Sequence, residues 1–181
     1  MAETSRNPLV KNACLQPGRY DELKSILNLI EQIQKHLNEY LDTKRQLFPR
    51  FYFLSDDELL SIIGSTDPKQ IQIYLPKMFD NISALQFTDS IDVRAMISFE
   101  KEQLDFQKSI SCQEKVESWM TNIEREMKDS NRTITKQAIF YYRFKQSRLQ
   151  WMRKYIGMIV LAVNQIWMTW FIEEFVCFCS E

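Results

Sequence analysis

A regularly spaced set of apolar residues near the start of the chain constrains its fold more than any other feature. From Asp21 onward, apolar residues recur at alternating steps of three and four, with one interruption at Lys44. We call these residues the apolar stripe: Leu23, Ile26, Ile30, Ile33, Leu37, Tyr40 and Leu47. The spacing predicts an amphipathic helix that ends before Pro49, because a residue preceding proline is biased away from helical geometry. A repeat of seven fits a coiled coil with another chain, but about three heptads is short, which favours packing within the chain's own bundle.

A cluster of acidic residues follows directly behind an aromatic run, in the stretch FPRFYFLSDDELL. Ser55 lies three residues before Glu58, and an apolar run follows, which together form the pattern of a capping box. Asp56 and Asp57 then fall in the first turn, where the helix dipole favours negative charge. Metal binding or acid–base catalysis would need further ligands or a partner residue, and the sequence places no His or Cys nearby. We therefore interpret the acidic cluster as the start of a helix.

Similar helix signals recur further along the chain. Asp67 and Pro68 fit the N-cap and the first residue of a helix, and Pro76 ends that helix or begins a short one, KMFDNISAL. Ser111 and Glu114 fit a second capping box. Behind it, one apolar helical face is predicted from Val116, Trp119, Met120, Ile123 and Met127. Residues 131–149 are predicted to be another helix.

Between these helices, the stretch VRAMISFEKEQLDFQKSI has short runs of β-favouring residues on both sides of a charged tip at Glu100–Gln103. Such runs separated by a short polar connection are typical of a β-hairpin.

Two later segments leave alternatives open. Residues 155–172 are strongly apolar and follow Arg153 and Lys154, so they fit either a marginal membrane span at the end of a tail-anchored protein or a buried core helix. Asn164 and Gln165, in the middle of this segment, favour the core helix. Residues 136–155 mix basic and aromatic side chains, as single-strand nucleic-acid binders do, or as a helix with a basic surface and an aromatic core face does.

The remaining composition excludes several classes of function. The three glycines, at positions 18, 64 and 157, are too far apart for a phosphate-binding loop. The lone His36 and the cysteines at positions 14, 112, 177 and 179 match no zinc pattern, so we expect neither a metal nor a cofactor. A net charge of −1 gives no general attraction to nucleic acid. Residues 1–19 contain no apolar run of secretory length, and we expect a flexible leader in a cytosolic protein.

Several stretches resemble one family, the dynein heavy chains, in their linker region. The stretch HLNEYLDTKRQLFPRFYFLSDDELLSIIGSTDP contains the family's signature, Phe48, Pro49, Arg50, Phe51, Tyr52 and Phe53. The V-E-x-W step that includes Trp119 and the Q-I-W step that includes Trp167 also resemble the linker. The resemblance covers roughly residues 20–174, and the stretches LDTKR and LSDDELL are closer to the sequences of axonemal than of cytoplasmic heavy chains.

The resemblance implies a mainly α fold, a helical bundle of about six helices with a small β-hairpin inserted. It divides the chain into a leader (1–19), a partial linker domain (20–174) and a divergent tail (175–181). It implies that the chain is a non-catalytic segment of the linker, a lever that swings across the ATP-hydrolysing ring of a heavy chain. We expect a truncated isoform or fragment that lacks this ring and the microtubule-binding stalk. The implied partners are the rest of a heavy chain or other dynein subunits. The implied location is the cytoplasm, the cytoskeleton and the ciliary axoneme. The resemblance also makes membrane insertion of residues 155–172 less favoured.

Overall fold

The chain is mainly helical and contains one small antiparallel sheet, as the sequence predicted. The computed structural model describes residues 9, 11, 17–142 and 147–179, with backbone alone for 174–179. The described α-helices are α1 Arg19–Leu47, α2 Asp56–Gly64, α3 Leu75–Met78, α4 Val116–Tyr142, α5 Arg148–Lys154 and α6 Gly157–Cys179. Two 3-10 helices span Pro49–Phe53 and Pro68–Ile73, and the strands are β1 Ile82–Phe87, β2 Asp92–Ser98 and β3 Gln103–Ser111. The chain divides into two compact units, Met1–Gln46 and Leu47–Glu181. The predicted leader falls mostly outside the described residues.

The first unit is dominated by α1, which begins directly after Gly18. Gly18 has φ +82°, a left-handed conformation that glycine adopts without strain. The apolar stripe is a surface feature, because its side chains are between 38% and 67% exposed. Our preference for a helix packed within the chain's own bundle is therefore wrong for the part of the chain that the structure describes. Leu41, outside the stripe, is the buried residue of this helix.

The sheet of the second unit confirms the predicted hairpin and adds a strand to it. Strands β2 and β3 form the antiparallel hairpin, and β1 pairs antiparallel with the other edge of β2. We predicted the stretch KMFDNISAL as helix, but helix α3 ends at Met78 and Ile82 already pairs with Ser98. Asn81, with φ 60°, turns the chain out of the helical direction. Pairing with β2 and burial of Leu85 outweigh the local helical spacing.

Helix α4 covers the irregular edge of β3. Val93 pairs with Ile110 but Ala95 pairs with Asp105, so β3 bulges away from β2 between these pairs. The freed backbone N–H groups of Gln107 and Lys108 donate to Oε1 of Glu126, at 3.0 and 3.2 Å. The hydroxyl of the buried Ser130 donates to the same carboxylate, at 2.9 Å, and its oxygen accepts from Gln107. An edge that would otherwise be open to another strand is thereby satisfied.

The second predicted capping box is wrong. Ser111 is the last residue of β3, where it pairs with Asp92, and helix α4 starts at Val116, after Glu114. Its backbone pairing keeps Ser111 in the sheet, five residues before the helix begins, which is too far for its side chain to cap α4. The apolar face predicted for α4 is present nonetheless, and its buried residues include Trp119, Met120, Ile123 and Met127.

A core cluster joins α4, α5 and α6 around Trp151. The indole Nε1 of Trp151 donates to the carbonyl oxygen of Ala138 at 3.0 Å, and its ring packs edge-on against Tyr142, with centroids 5.0 Å apart. Tyr142 in turn stacks on Trp167, with centroids 5.5 Å apart and an interplanar angle of 17°. The buried members of the cluster are Leu104, Ala138, Trp151, Ile159, Val160 and Val163. Of the aromatic residues at 136–155, those in this cluster serve packing, which disfavours the nucleic-acid alternative, while residues 143–146 fall outside the described ranges.

The apolar segment at 155–172 begins with an extended residue, Tyr155, and becomes helical from Gly157. Throughout the described ranges, no helix has both the length and the apolar character needed to cross a membrane. Three residues of this segment, Ile159, Val160 and Val163, lie in the Trp151 cluster.

Candidate functional site at the aromatic junction

Residues Phe48 to Phe53, which we call the aromatic junction, divide into a buried pair and an exposed pair. Pro49 opens the 3-10 helix, and Phe48 before it is extended, with φ −135°. Phe48 and Phe51 are buried and meet edge-on, with ring centroids 4.9 Å apart, because residues three apart share one side of a 3-10 helix. Tyr52 and Phe53 are 60% and 66% exposed. The junction thus anchors itself in the core and presents two aromatic side chains at the surface.

Arg50 connects the junction to two other elements. Its Nη1 donates to the carbonyl oxygen of Met78 at 2.8 Å, and its Nη2 lies 3.4 Å from Oε1 of Glu124 on α4. The guanidinium also lies over the ring of Phe79, 4.5 Å from the centroid. The planar fork of arginine suits such simultaneous contacts, which a lysine could not reproduce.

Glu124 is held in its charged form by this arrangement. Partial burial alone would raise the pKa of Glu124, but the hydrogen bond from Lys128, at 2.7 Å, and the charge of Arg50 outweigh that effect and lower it. The three side chains therefore form a charged link between the junction and α4.

The predicted capping box at the start of α2 is present. The Ser55 hydroxyl accepts from the backbone N–H of Glu58 at 3.4 Å, and the Glu58 carboxylate accepts from the backbone N–H of Ser55 at 3.1 Å. Lys77 forms an ion pair with the same carboxylate. Its hydrogen bond, together with that from Ser55, lowers the pKa of Glu58. Asp56 and Asp57 are exposed in the first turn, so the acidic cluster has the structural role that the sequence predicted.

The other predicted site residues lie in separate places. The Asp67 side chain caps as expected, accepting from the backbone N–H of Lys69 at 3.0 Å, although it opens a 3-10 helix. Trp119 is buried on α4, and Trp167 belongs to the Trp151 cluster. The junction's partners Phe79 and Glu124 were not predicted.

Among the described residues, His, Cys, Asp and Glu side chains form no group of three that could hold a metal ion. Burial, with a smaller effect of the Asp92 charge, raises the pKa of Cys112 to about 11, so this thiol is a poor nucleophile. What the arrangement does is fix the relative positions of the junction, α2, α3 and α4.

Comparison with known proteins assigns the chain to one family. The family model "Dynein heavy chain, N-terminal region 2" matches residues 1–138, so the similarity extends into residues 1–19, which our sequence interpretation had left outside it. Dynein axonemal heavy chain 10 of Homo sapiens is 48% identical over 178 residues, and dynein axonemal heavy chain 1 of Homo sapiens is 38% identical over 175 residues. The Dynein-1-alpha heavy chain of the flagellar inner arm I1 complex of Chlamydomonas reinhardtii is 46% identical over 175 residues.

Each of these alignments covers 96% of this chain and 4% of the relative, so the chain spans a small part of the length of the curated relatives it matches. The predicted likeness to axonemal heavy chains is confirmed, and the relatives point to the cytoskeleton and the axoneme of the cilium. With a family model matching well over half of its residues, this chain belongs to the dynein heavy chain family.

Proposed function

We propose that the chain is a non-catalytic segment of the dynein heavy chain linker, the mechanical lever of a ciliary motor. Its sequence contains no glycine-rich phosphate-binding loop, so ATP hydrolysis by the motor belongs to other parts of a heavy chain. Its partners are then other segments of a heavy chain or other dynein subunits, in an assembly such as the flagellar inner arm that the Chlamydomonas relative's name mentions.

The observation that supports this proposal most strongly is the exposed apolar stripe of α1. Soluble proteins rarely leave a contiguous apolar surface of this kind uncovered unless a partner binds there. Leu27 and Leu29, 55% and 54% exposed, flank the stripe and widen it. A broad apolar face with Ile at both repeating core positions favours packing among three or more helices over a two-stranded coil. We infer that α1 is one helix of a larger helical assembly whose other members come from dynein.

Contacts between the elements of the second unit support a role as a lever segment. Arg50 links the aromatic junction to α3 and α4, the capping box and Lys77 link α2 to α3, and Glu126 closes the edge of β3. Well-packed interiors deform little and transmit strain, so a force applied at one element of this unit reaches the others.

Extraction of axonemes from ciliated cells tests this proposal. A tagged copy of the chain is expected to remain with the axoneme and to be released with the dynein heavy chains at high salt. Replacing Ile30 and Ile33 with Glu places two charges in the stripe, and we expect this variant to stay in the soluble fraction. The matched control introduces the same two charges on the polar face, by Asn28→Glu and Gln32→Glu, and should behave like the unmodified chain. Equal retention of both variants would contradict a role for the stripe.

A turnover assay on the purified chain tests the non-catalytic part of the proposal separately. ATP hydrolysis should stay at the background rate, with or without microtubules. Turnover that follows the chain through successive chromatography steps, and that is lost when the chain is removed by its tag, would overturn this part while leaving the axoneme result standing.

A further inference from the structure

A cavity of about 200 Å³ opens at the end of the sheet, within the second unit. The turn of the hairpin, the start of β1, the middle of α4 and the start of α6 contribute its walls. Its wall is largely apolar and includes three methionines, Met96, Met127 and Met158. Methionine side chains are flexible and polarisable, so such a wall adapts to an inserted aliphatic chain.

Two carboxylates also line this cavity, Asp80 and Glu102. No Lys, Arg or His is present among its described lining residues, so no cation of the cavity wall balances them. Oε1 of Glu102 accepts from the backbone N–H of Gly157 at 2.9 Å, which caps the first turn of α6 and fixes the carboxylate in place. The second oxygen of Glu102 keeps its capacity to accept a hydrogen bond. The cavity therefore combines an aliphatic wall with fixed negative charge.

We propose that this acid-lined cavity receives a lysine side chain from a partner polypeptide. A lysine has the required form, because its four-carbon stem packs on apolar surface while its ammonium group seeks anionic acceptors. Arginine fits less well, since its planar guanidinium favours aromatic faces and none of the described lining residues is aromatic. An uncharged aliphatic side chain would occupy the wall but leave both carboxylates without a cation. The cavity is distinct from the apolar stripe, and lysine binding there does not depend on the proposed linker function.

The experiment uses the whole chain labelled with 13C at its methionine methyl groups. The probe is the blocked peptide Gly-Ser-Lys-Ser-Gly, followed by NMR, with each methyl signal assigned from single Met→Leu variants. We expect saturable shifts of the Met96, Met127 and Met158 signals, and no shift for Met120, which is buried outside the cavity lining. Matched peptides with norleucine, arginine or N6-acetyllysine in place of lysine should bind about tenfold more weakly or not at all. Norleucine and N6-acetyllysine lack the positive charge, and arginine carries its charge on a planar group that fits this cavity less well.

Two variants test the carboxylates without removing the wall. Glu102→Gln keeps an oxygen that accepts from Gly157 but loses the charge, and Asp80→Asn removes a charge from an exposed position. Together they should weaken binding of the lysine peptide by roughly tenfold, while Asp80→Asn alone, which leaves the α6 cap untouched, should produce a smaller loss. Glu100→Gln, at an exposed turn position outside the cavity, is the charge-matched control.

Several outcomes would overturn the inference. One is the absence of methionine shifts with the lysine peptide. Another is equal binding of the norleucine peptide, which would make the cavity a general apolar site. Tighter binding of n-butylammonium chloride than of the lysine peptide would identify a small free amine as the ligand and would contradict a polypeptide source. Unchanged affinity in the folded Asp80→Asn and Glu102→Gln variants would also contradict it.

Discussion

The guanidinium of Arg50 lies 3.4 Å from the carboxylate of Glu124, although 74 residues separate them along the chain. The same guanidinium donates to the carbonyl oxygen of Met78 and covers the ring of Phe79. One side chain of the aromatic junction thus joins the first elements of the second unit to its long helix α4.

Arg50→Ala should therefore destabilise the second unit. Loss of hydrogen bonds to a charged group and of one cation–aromatic contact is expected to reduce the free energy of unfolding by about 2 kcal/mol. Arg50→Lys should recover part of this, because it keeps the charge but not the forked geometry. Chemical denaturation measures the change. Arg94→Ala removes the same charge from an exposed strand position and should alter the stability by no more than about 0.5 kcal/mol, so equal losses in both variants would argue against the Arg50 link.

The capping box should make stability depend on pH in the acid range. The folded-state pKa of Glu58 lies below its ordinary value of 4.5, so its ionised form stabilises the fold above that pH, and the contribution is lost as pH falls through the lowered pKa. Glu58→Gln should reduce the melting temperature at neutral pH, and the difference from the unmodified chain should shrink as the pH falls below 4.5 and through the lowered pKa. Glu100→Gln, at an exposed turn, should show no such difference. A gap of constant size across this pH range would contradict the role assigned to the charge.

Ser55→Ala tests the other half of the same box. It leaves the backbone N–H of Glu58 without its side-chain acceptor and should cost about 1 kcal/mol of stability at every pH. Thermal melts at neutral and acid pH distinguish this constant loss from the pH-dependent one. Ser61→Ala, on the exposed side of α2, is the matched control and should be near neutral. A Ser55→Ala loss no larger than that of the control would show that the hydroxyl does not stabilise the helix.

Local signals in the sequence predicted the local parts of this structure. The capping box at Ser55 and Glu58 and the cap at Asp67 depend on a few consecutive residues, so the local sequence is sufficient to predict them. The hairpin was predicted for the same reason, since a charged tip separates two β-favouring runs. The resemblance to dynein heavy chains rested on the long stretch around the aromatic junction, which is specific because it is long.

The parts that depend on distant partners could not be predicted this way. Ser111 fits a capping pattern, but its pairing with Asp92 makes it a strand residue. Residues 82–85 belong to the stretch predicted as helix, but β2 offers them an edge to pair with. The ion pair of Glu124 with Lys128, four residues later on the same helix, can be predicted from the sequence. Its contact with Arg50 cannot, because nothing near Glu124 in the sequence indicates it. The exposure of the apolar stripe also depends on which partners are present, and a periodic pattern does not name them.

Glu126 should protect the edge of β3 through its hydrogen bonds rather than its charge. Glu126→Ala removes the acceptor of the Lys108 N–H and one of the two acceptors of the Gln107 N–H, and should cost about 2 kcal/mol, whereas Glu126→Gln keeps an oxygen acceptor and should cost less. Hydrogen exchange of these two amides reads the effect directly, since they should exchange faster in the Ala variant. Unchanged exchange at Gln107 and Lys108 would show that other groups protect this edge.

The buried thiol of Cys112 should resist alkylation in the folded chain. With a pKa of about 11, its reactive thiolate is scarce at pH 8, and burial limits access. In a background where the other cysteines are Ser, maleimide labelling should be at least about a hundredfold slower than for Gln113→Cys, an exposed neighbour introduced together with Cys112→Ser. Denaturant should abolish the difference. Rapid labelling of Cys112 in the folded chain would contradict its burial.

Cysteine accessibility within the axoneme tests most directly whether dynein covers the apolar stripe. Ile33 is 67% exposed in this structure, so Ile33→Cys, in a background where the native cysteines are Ser, should react rapidly with maleimide in the isolated chain. Once the tagged chain is bound to axonemes, that reaction should slow by about tenfold or more, because a packed helix face excludes the reagent. Lys35→Cys, on the polar face, should react at similar rates in both states. An unchanged rate at position 33 in the axoneme-bound chain would show that dynein leaves the stripe uncovered.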